Sequence, residues 1–246
     1  MSFIVPTKYR TEKVELMDDF TIGGTMLENT LGQLATINRW LGGNTVTING
    51  LKKLLKNVPK KQQYTIVDMG CGNGDMLRII AKYGKKQGYH FQLIGIDANA
   101  NAINYAQKLS QKHSEISYLH QDIFSEEFKK LNYDIVLSTL FLHHFSEDKI
   151  VTVLNSILKT ARIGVVVNDL HRHPLAYYLF KALSLFIQNP MVKEDGLISI
   201  LRGFKRADLE RISKKLKIKS HIQWKWAFRY QWILINSKTQ TTKTNK

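Results

Sequence analysis

Tyr64-Thr65-Ile66-Val67-Asp68-Met69-Gly70-Cys71-Gly72-Asn73-Gly74-Asp75 is the stretch that decides the reading of this chain. Thr65 to Val67 reads as a short buried strand, the glycines as a turn, and Asp75 to about Tyr83 as a helix. A glycine turn between a strand and a helix is where open α/β sheets bind ligands, because backbone without a Cβ can pass close to one. Asp68 narrows the ligand. A carboxylate two residues before the first glycine would repel a pyrophosphate and attract an ammonium or a sulfonium. The turn also lacks the third glycine at dinucleotide spacing and the Lys-Ser/Thr of a P-loop. The ligand expected there is cationic at one end and needs no phosphate cradle.

Outward from this turn the chain alternates strands and helices. Strands are predicted at Phe91 to Ile96, Ile116 to Leu119, Asp134 to Leu137 and Ile163 to Val167. Helices are predicted over about 99–109 and 146–160 and after Pro174. That alternation predicts a parallel sheet with right-handed crossovers. Beyond a helix over about 205–216 the period becomes two. Ile222, Trp224, Trp226, Phe228, Tyr230, Trp232 and Leu234 share one parity, with Lys225 and Arg229 on the other, as in an antiparallel hairpin. Upstream, Leu27, Leu31, Leu34, Ile37 and Leu41 mark an amphipathic helix stopped by Gly42-Gly43, with a shorter helix over about 46–57. The fold class expected is α/β: a Rossmann-like, seven-stranded, mostly parallel sheet with a C-terminal antiparallel hairpin. The domain boundaries expected are 1–60 for an N-terminal arm and helical cap, 61–236 for the ligand-binding domain, and 237–246 for a disordered polar tail.

Three acids fall in order at strand ends: Asp68, then Asp97 in Gly95-Ile96-Asp97, then Asp122 in Gln121-Asp122-Ile123. Asp97 can accept both hydroxyls of a ribose, and Asp122 can accept from an adenine amine while Ile123 covers the ring. Helix capping explains any one of them but not the ordered set. S-adenosylmethionine fits the demand for a cationic nucleoside.

Here the sequence resembles the class I S-adenosylmethionine-dependent methyltransferases. The residues that carry the resemblance are Val67 through Gly74, Gly95-Ile96-Asp97-Ala98-Asn99, Gln121-Asp122-Ile123-Phe124 and Tyr133-Asp134-Ile135-Val136-Leu137-Ser138. It spans about residues 64–235. It implies S-adenosylmethionine as cofactor, with contacts at Asp68, Gly70, Cys71, Gly72, Asp97, Ala98, Asp122, Ile123 and Ser138. Leu140-Phe141-Leu142-His143-His144-Phe145 resembles the ubiquinone/menaquinone-type small-molecule methyltransferases. Asp169-Leu170-His171-Arg172-His173-Pro174 is similar to bacterial members acting on phenolic or polyketide products. Glu15-Leu16-Met17-Asp18-Asp19 and Ser199 through Arg206 are similar to the same group.

Ser138-Thr139-Leu140-Phe141 stands where amino-methylating enzymes of adenine or glutamine resemble one another in an Asn/Asp-Pro-Pro-Tyr turn. The one cysteine, Cys71, lies in the glycine turn, so cytosine-C5 chemistry lacks its nucleophile. A hydrophobic small-molecule acceptor is therefore expected, with O-methylation of a phenolic, polyketide or quinone-like compound as the leading reading. A phenol with a solution pKa of about 10 benefits from a base that titrates near neutrality. His143 and His144 are the candidates for that base, against the alternative that one packs under the cofactor while the other starts a helix. With no acidic cluster beside them in the sequence, no metal site is expected. The apolar helix after Pro174 reads either as a buried core helix, the slightly favoured option, or as a cap lining the acceptor pocket.

The net charge is +16, and from Leu201 onward 13 basic residues face only Asp208 and Glu210. A lysine-rich solvated helix accounts for this. An RNA methyltransferase using the basic end as a phosphate track is the alternative function, and weak association with an anionic membrane surface is the alternative partner. A single cysteine and the lack of a secretory apolar run fit a cytoplasmic protein.

Overall fold

The computed structural model describes residues 5–236. Strands β1 (Gln63–Met69), β2 (His90–Asp97), β3 (Ile116–His120), β4 (Ile135–Thr139) and β5 (Gly164–Leu170) pair in parallel, and β6 (Ser220–Lys225) and β7 (Arg229–Ile235) complete the sheet as an antiparallel hairpin. The order is β3-β2-β1-β4-β5-β7-β6. It reverses between β1 and β4, so the glycine turn leaves β1 at the switch point where such sheets open a crevice.

Helices α1 (Gly24–Trp40), α2 (Gly43–Leu55), α3 (Asp75–Gln87), α4 (Ala100–Leu109), α5 (Glu126–Lys130), α6 (Glu147–Thr160), α7 (Pro174–Leu183), α8 (Pro190–Arg202) and α9 (Arg206–Leu216) surround the sheet. Both faces are buried, and the period of two divides them. Val67, Met69, Val136, Val165 and Trp232 face Ile150, Val153 and Leu154 of α6 and Leu209 and Ile212 of α9. Ile66, Leu137, Val166 and Ile233 face Leu51, Leu54 and Leu55 of α2 and Leu77 and Ile80 of α3. The hairpin has the parity expected: Ser220, Ile222 and Trp224 pair with Leu234, Trp232 and Tyr230, and those three partners are buried.

Several expectations needed correction. Helix α2 starts at Gly43 and packs its leucines into the sheet's own core, so residues before 60 share that core. Helix α8 was not expected, although Asn189 caps it by accepting from the backbone of Met191 and Val192. Helix α7 is not a buried core helix: Ala176 is its buried residue, and Leu175, Tyr178, Leu179 and Leu183 are exposed. The expected polar tail, 237–246, lies outside the described residues.

The N-terminal arm is tied down at several points. The buried Arg172 donates to the Thr7 carbonyl (3.0 Å) and to Asp208 (2.9 Å). The buried Asp195 of α8 accepts from the backbone of Leu16 (2.7 Å) and Met17 (3.0 Å). Ion pairs hold the basic end to its neighbours: Arg211 reaches Glu147 (2.6 Å) and Asp208 (3.0 Å), and Lys215 reaches Glu147 (2.8 Å). Among the described residues, no helix is long and apolar enough to cross a membrane.

Candidate functional site

The site forms at the carboxyl ends of β1, β2, β4 and β5. The turn after β1 closes because Gly70 N and Cys71 N both donate to the Ile96 carbonyl (2.9 and 3.0 Å). Gly70 and Gly74 are left-handed, with φ of 65° and 71°. A Cβ at Gly70 would run into the Phe141 ring, and one at Gly74 into the Tyr118 hydroxyl. Asp97, at the end of β2, accepts from Gly72 N (3.0 Å) and Asn99 N (2.9 Å), which fixes the carboxylate against the turn. A carboxylate has about four lone-pair directions, so two remain for a ligand.

Asp68 is buried, and its Oδ1 has no hydrogen-bond partner among the described residues. Burial pushes its carboxyl well up, and the neighbouring Asp75 and Asp97 add to the effect. Burial also raises Asp75 and Asp97. Three carboxylates therefore crowd one turn, and one has an orphaned oxygen. That arrangement is costly unless a cation joins it.

The other expected contacts are placed as follows. The Cys71 side chain points into the core beside Tyr118 and Gly95. Burial raises the thiol's pKa well above the usual range, which keeps it neutral. Ala98 is half-buried, and its carbonyl meets His120 Nε2 (3.0 Å). Asp122 is exposed and accepts from Phe124 N (2.9 Å), while Ile123 is buried. Ser138 is fully buried with no hydrogen-bond partner for its hydroxyl. Asp68, Gly72 and Asp97 thus gather at the turn, with Asp122 further out along the edge.

After β4 the chain turns through Leu140 (φ 54°) and a 3-10 turn, Leu142–His144. His143 is 2% exposed. Its Nδ1 lies 2.7 Å from Asp169 Oδ1 at the end of β5, and its main-chain N–H donates to Asp169 Oδ2 (3.2 Å). Nε2 has no partner and faces Glu15 Oε1 at 3.6 Å. Burial would push Asp169 up, but the attraction of His143 and the hydrogen bond to it hold the carboxyl below the usual carboxylate range. His144 Nδ1 bonds Asp18 Oδ1 (2.6 Å), and Arg202 bonds Asp18 Oδ2 (2.6 Å). Burial opposes ionisation of Asp18 as well, yet those two bonds keep it well below its ordinary value.

Glu15, Asp18, Asp169 and Arg202 were legible only as pieces of the resemblance; periodicity gave them no role. Glu15, His143 and His144 offer ligand atoms within 4.8 Å of one another, which a metal ion could use. The protein's own cation already serves that place: Arg202 Nη1 stands 3.6 Å from Glu15 Oε1, and His144 Nδ1 is committed to Asp18.

Glu15 makes a pH prediction. Burial first, and Asp18 in part, push its carboxyl up to about 7. A carboxyl raised in the folded state binds a proton that the unfolded chain has lost, so stability falls as pH rises from about 4.5 to about 7. By linkage this one group accounts for roughly 3 kcal/mol over that range. Thermal unfolding against pH should show the decline in wild type and a flatter curve in Glu15→Gln; parallel curves would refute it.

The comparisons follow the same geometry. Residues 66–164, from β1 to the start of β5, match a protein family described as Methyltransferase domain. The plantazolicin methyltransferase BamL, solved with a triazolic desmethylPZN analog and SAH, superposes with a TM-score of 0.64 at 13% identity, covering 85% of this chain and 91% of that one. Residues 66–164 carry a methyltransferase domain, and the sheet around them has the fold of these SAH-bound methyltransferases. The plantazolicin methyltransferase BpumL with SAH is similar at a TM-score of 0.61 and 19% identity, over 86% of this chain and 89% of that one. Two curated relatives match this chain more locally. Phosphoethanolamine N-methyltransferase of Plasmodium falciparum (isolate 3D7) is 29% identical over 43% of this chain and 39% of its own length. Des-methyl DIF-1 methyltransferase A of Dictyostelium discoideum is 26% identical over 47% and 32%. The chain spans less than half the length of these curated relatives.

The residues present fit the cofactor. The orphaned Asp68 oxygen and the raised carboxyls beside it suit a positively charged ligand. Asp97 keeps two lone-pair directions for a diol.

Proposed function

We propose that this methyltransferase O-methylates a hydroxyl on a hydrophobic small molecule of phenolic, polyketide or quinone-like type, with His143 as general base. The observation that carries the reading is the buried Asp169–His143 pair: Nδ1 is held by the carboxylate, and the lone pair on Nε2 is left unpartnered. Asp169 fixes the tautomer and balances the imidazolium that forms when Nε2 takes the hydroxyl proton. S-adenosylmethionine supplies the electrophilic methyl group. The chain supplies orientation, exclusion of water and the proton acceptor.

Three further observations support a small apolar acceptor. Leu175, Tyr178 and Leu179 of α7, with Leu185 and Phe186 beyond it, leave an exposed apolar face following β5. The named substrates of the similar proteins include plantazolicin analogs, magnesium protoporphyrin IX and des-methyl DIF-1. The pairing of Arg211 and Lys215 with Glu147 lowers the free positive charge that an RNA track would need.

The test is transfer of a radiolabelled methyl group into a cell extract, followed by separation of small molecules, RNA and protein. Label in the organic-soluble fraction is expected. Label confined to RNA or protein would overturn the acceptor class.

A further inference from the structure

Arg229 is an unusual residue for the start of a hairpin strand. It is 3% exposed, and among the described residues neither Nε nor Nη1 of its guanidinium has a hydrogen-bond partner. Its position is fixed by Gly43, the first residue of the 13-residue helix α2: a Cβ built on Gly43 would lie 2.9 Å from Arg229 Cζ. The guanidinium therefore rests against the N-terminus of α2, where main-chain N–H groups and the helix dipole also favour negative charge.

Asp169, the carboxylate that faces this charge, is shared with His143. Asp169 attracts Arg229 through space, but its oxygens already accept from His143 and from the main chain of Leu170. Asn38 Oδ1, against the same glycine, and Asn168, whose amide nitrogen donates to the Gly43 carbonyl (2.9 Å), are neutral. Neutral oxygens can satisfy an N–H but cannot compensate a buried charge. This end of α2 is linked to the glycine turn: Asn44, the residue after Gly43, donates to Asp75, one residue past Gly74, at 3.5 Å.

We propose that Arg229 and the N-terminus of α2 form an internal carboxylate-binding subsite. The planar fork of a guanidinium matches a carboxylate with two parallel hydrogen bonds. The carboxylate comes either from the amino-acid end of the cofactor or from the acceptor. The inference is independent of which hydroxyl is methylated.

Titration calorimetry with two nucleosides tests it: S-adenosylhomocysteine, which carries a carboxylate, and 5′-methylthioadenosine, which does not. Arg229→Gln should weaken the first by about tenfold or more and leave the second within about twofold. A second arm titrates benzoate into protein saturated with 5′-methylthioadenosine. Benzoate binding that Arg229→Gln abolishes, with S-adenosylhomocysteine unchanged, supports the subsite and assigns it to the acceptor. Without ligand, Arg229→Gln should unfold at the wild-type temperature or above, because a buried charge with no hydrogen-bonded counter-ion has been removed. Equal loss of both nucleosides with a lower unfolding temperature makes Arg229 structural and overturns the proposal, as does no change in any arm. Should the glutamine variant fail to fold, Arg229→Lys keeps the charge without the fork. It should then lose part of the preference for S-adenosylhomocysteine over 5′-methylthioadenosine, and an undiminished preference, with no benzoate binding, overturns the proposal.

Discussion

Asp97→Ala lowers the affinity for S-adenosylhomocysteine by at least about a hundredfold, read by titration calorimetry, with two lost charge-assisted hydrogen bonds as the dominant cause. The carboxylate already accepts from Gly72 and Asn99, so its orientation does not depend on the ligand. Two lone-pair directions remain, enough for both hydroxyls of a ribose. Each bond to an ionised acceptor is worth about 1.5–3 kcal/mol, and the pair together covers two to four decades of affinity. Alanine also releases Gly72 N, which loosens the turn itself. Stability without ligand should change less than affinity, because burial raises the Asp97 carboxyl and its charge adds to the crowding at Asp68. Asp97→Asn keeps the shape and should fall between wild type and alanine. Undiminished affinity in Asp97→Ala would remove this acid from the ribose role, and with it the ordered set of strand-end acids.

The half of the site proposed for the cofactor is local in sequence, so its residues could be picked out as a set. Val67 through Gly74, Gly95 through Asp97 and Gln121 to Ile123 each lie within a few residues of a strand end, and period-two patterning located those ends. The sheet followed from the same signal, including the hairpin, where Ile222, Trp224, Tyr230, Trp232 and Leu234 kept their parity. The acceptor half is non-local. Glu15 is held by Ser199 (2.6 Å) and Asp18 by Arg202, each pair 184 positions apart, and no periodicity connects them. Helix α8 was missed for a related reason. Asp195 is buried on it because the main chain of Leu16 and Met17 supplies donors, so a buried polar residue interrupts the apolar pattern. Helix α7 was misjudged in the opposite sense. Its composition is that of a core helix, but a seven-stranded sheet covered by other helices leaves its apolar face on the surface. Arg229 sat opposite the aromatic parity of the hairpin, a position that suggests solvent until α2 is seen to cover it.

His143→Ala lowers kcat by about a hundredfold to ten-thousandfold while S-adenosylhomocysteine affinity stays within about threefold, the range expected for loss of one general base. The separation follows from position. His143 hangs between β4 and β5 on Asp169, whereas the carboxylates proposed for the cofactor belong to β1 and β2. Asp169→Asn should reproduce part of the loss, because an amide no longer favours the tautomer that leaves Nε2 free or offsets the imidazolium. His144→Ala should cost less than His143→Ala, since its ring is tied through Nδ1 to Asp18 and Arg202 closes that network from the far side. A pH profile distinguishes a lost base from a damaged fold. With a phenolic acceptor, the His143→Ala rate should climb with pH toward about 10, where the phenol ionises unaided and the missing base no longer matters. A fold defect would depress the rate at every pH. Wild-type turnover in His143→Ala would assign the proton to another acceptor and leave the Asp169–His143 pair as a brace between β4 and β5.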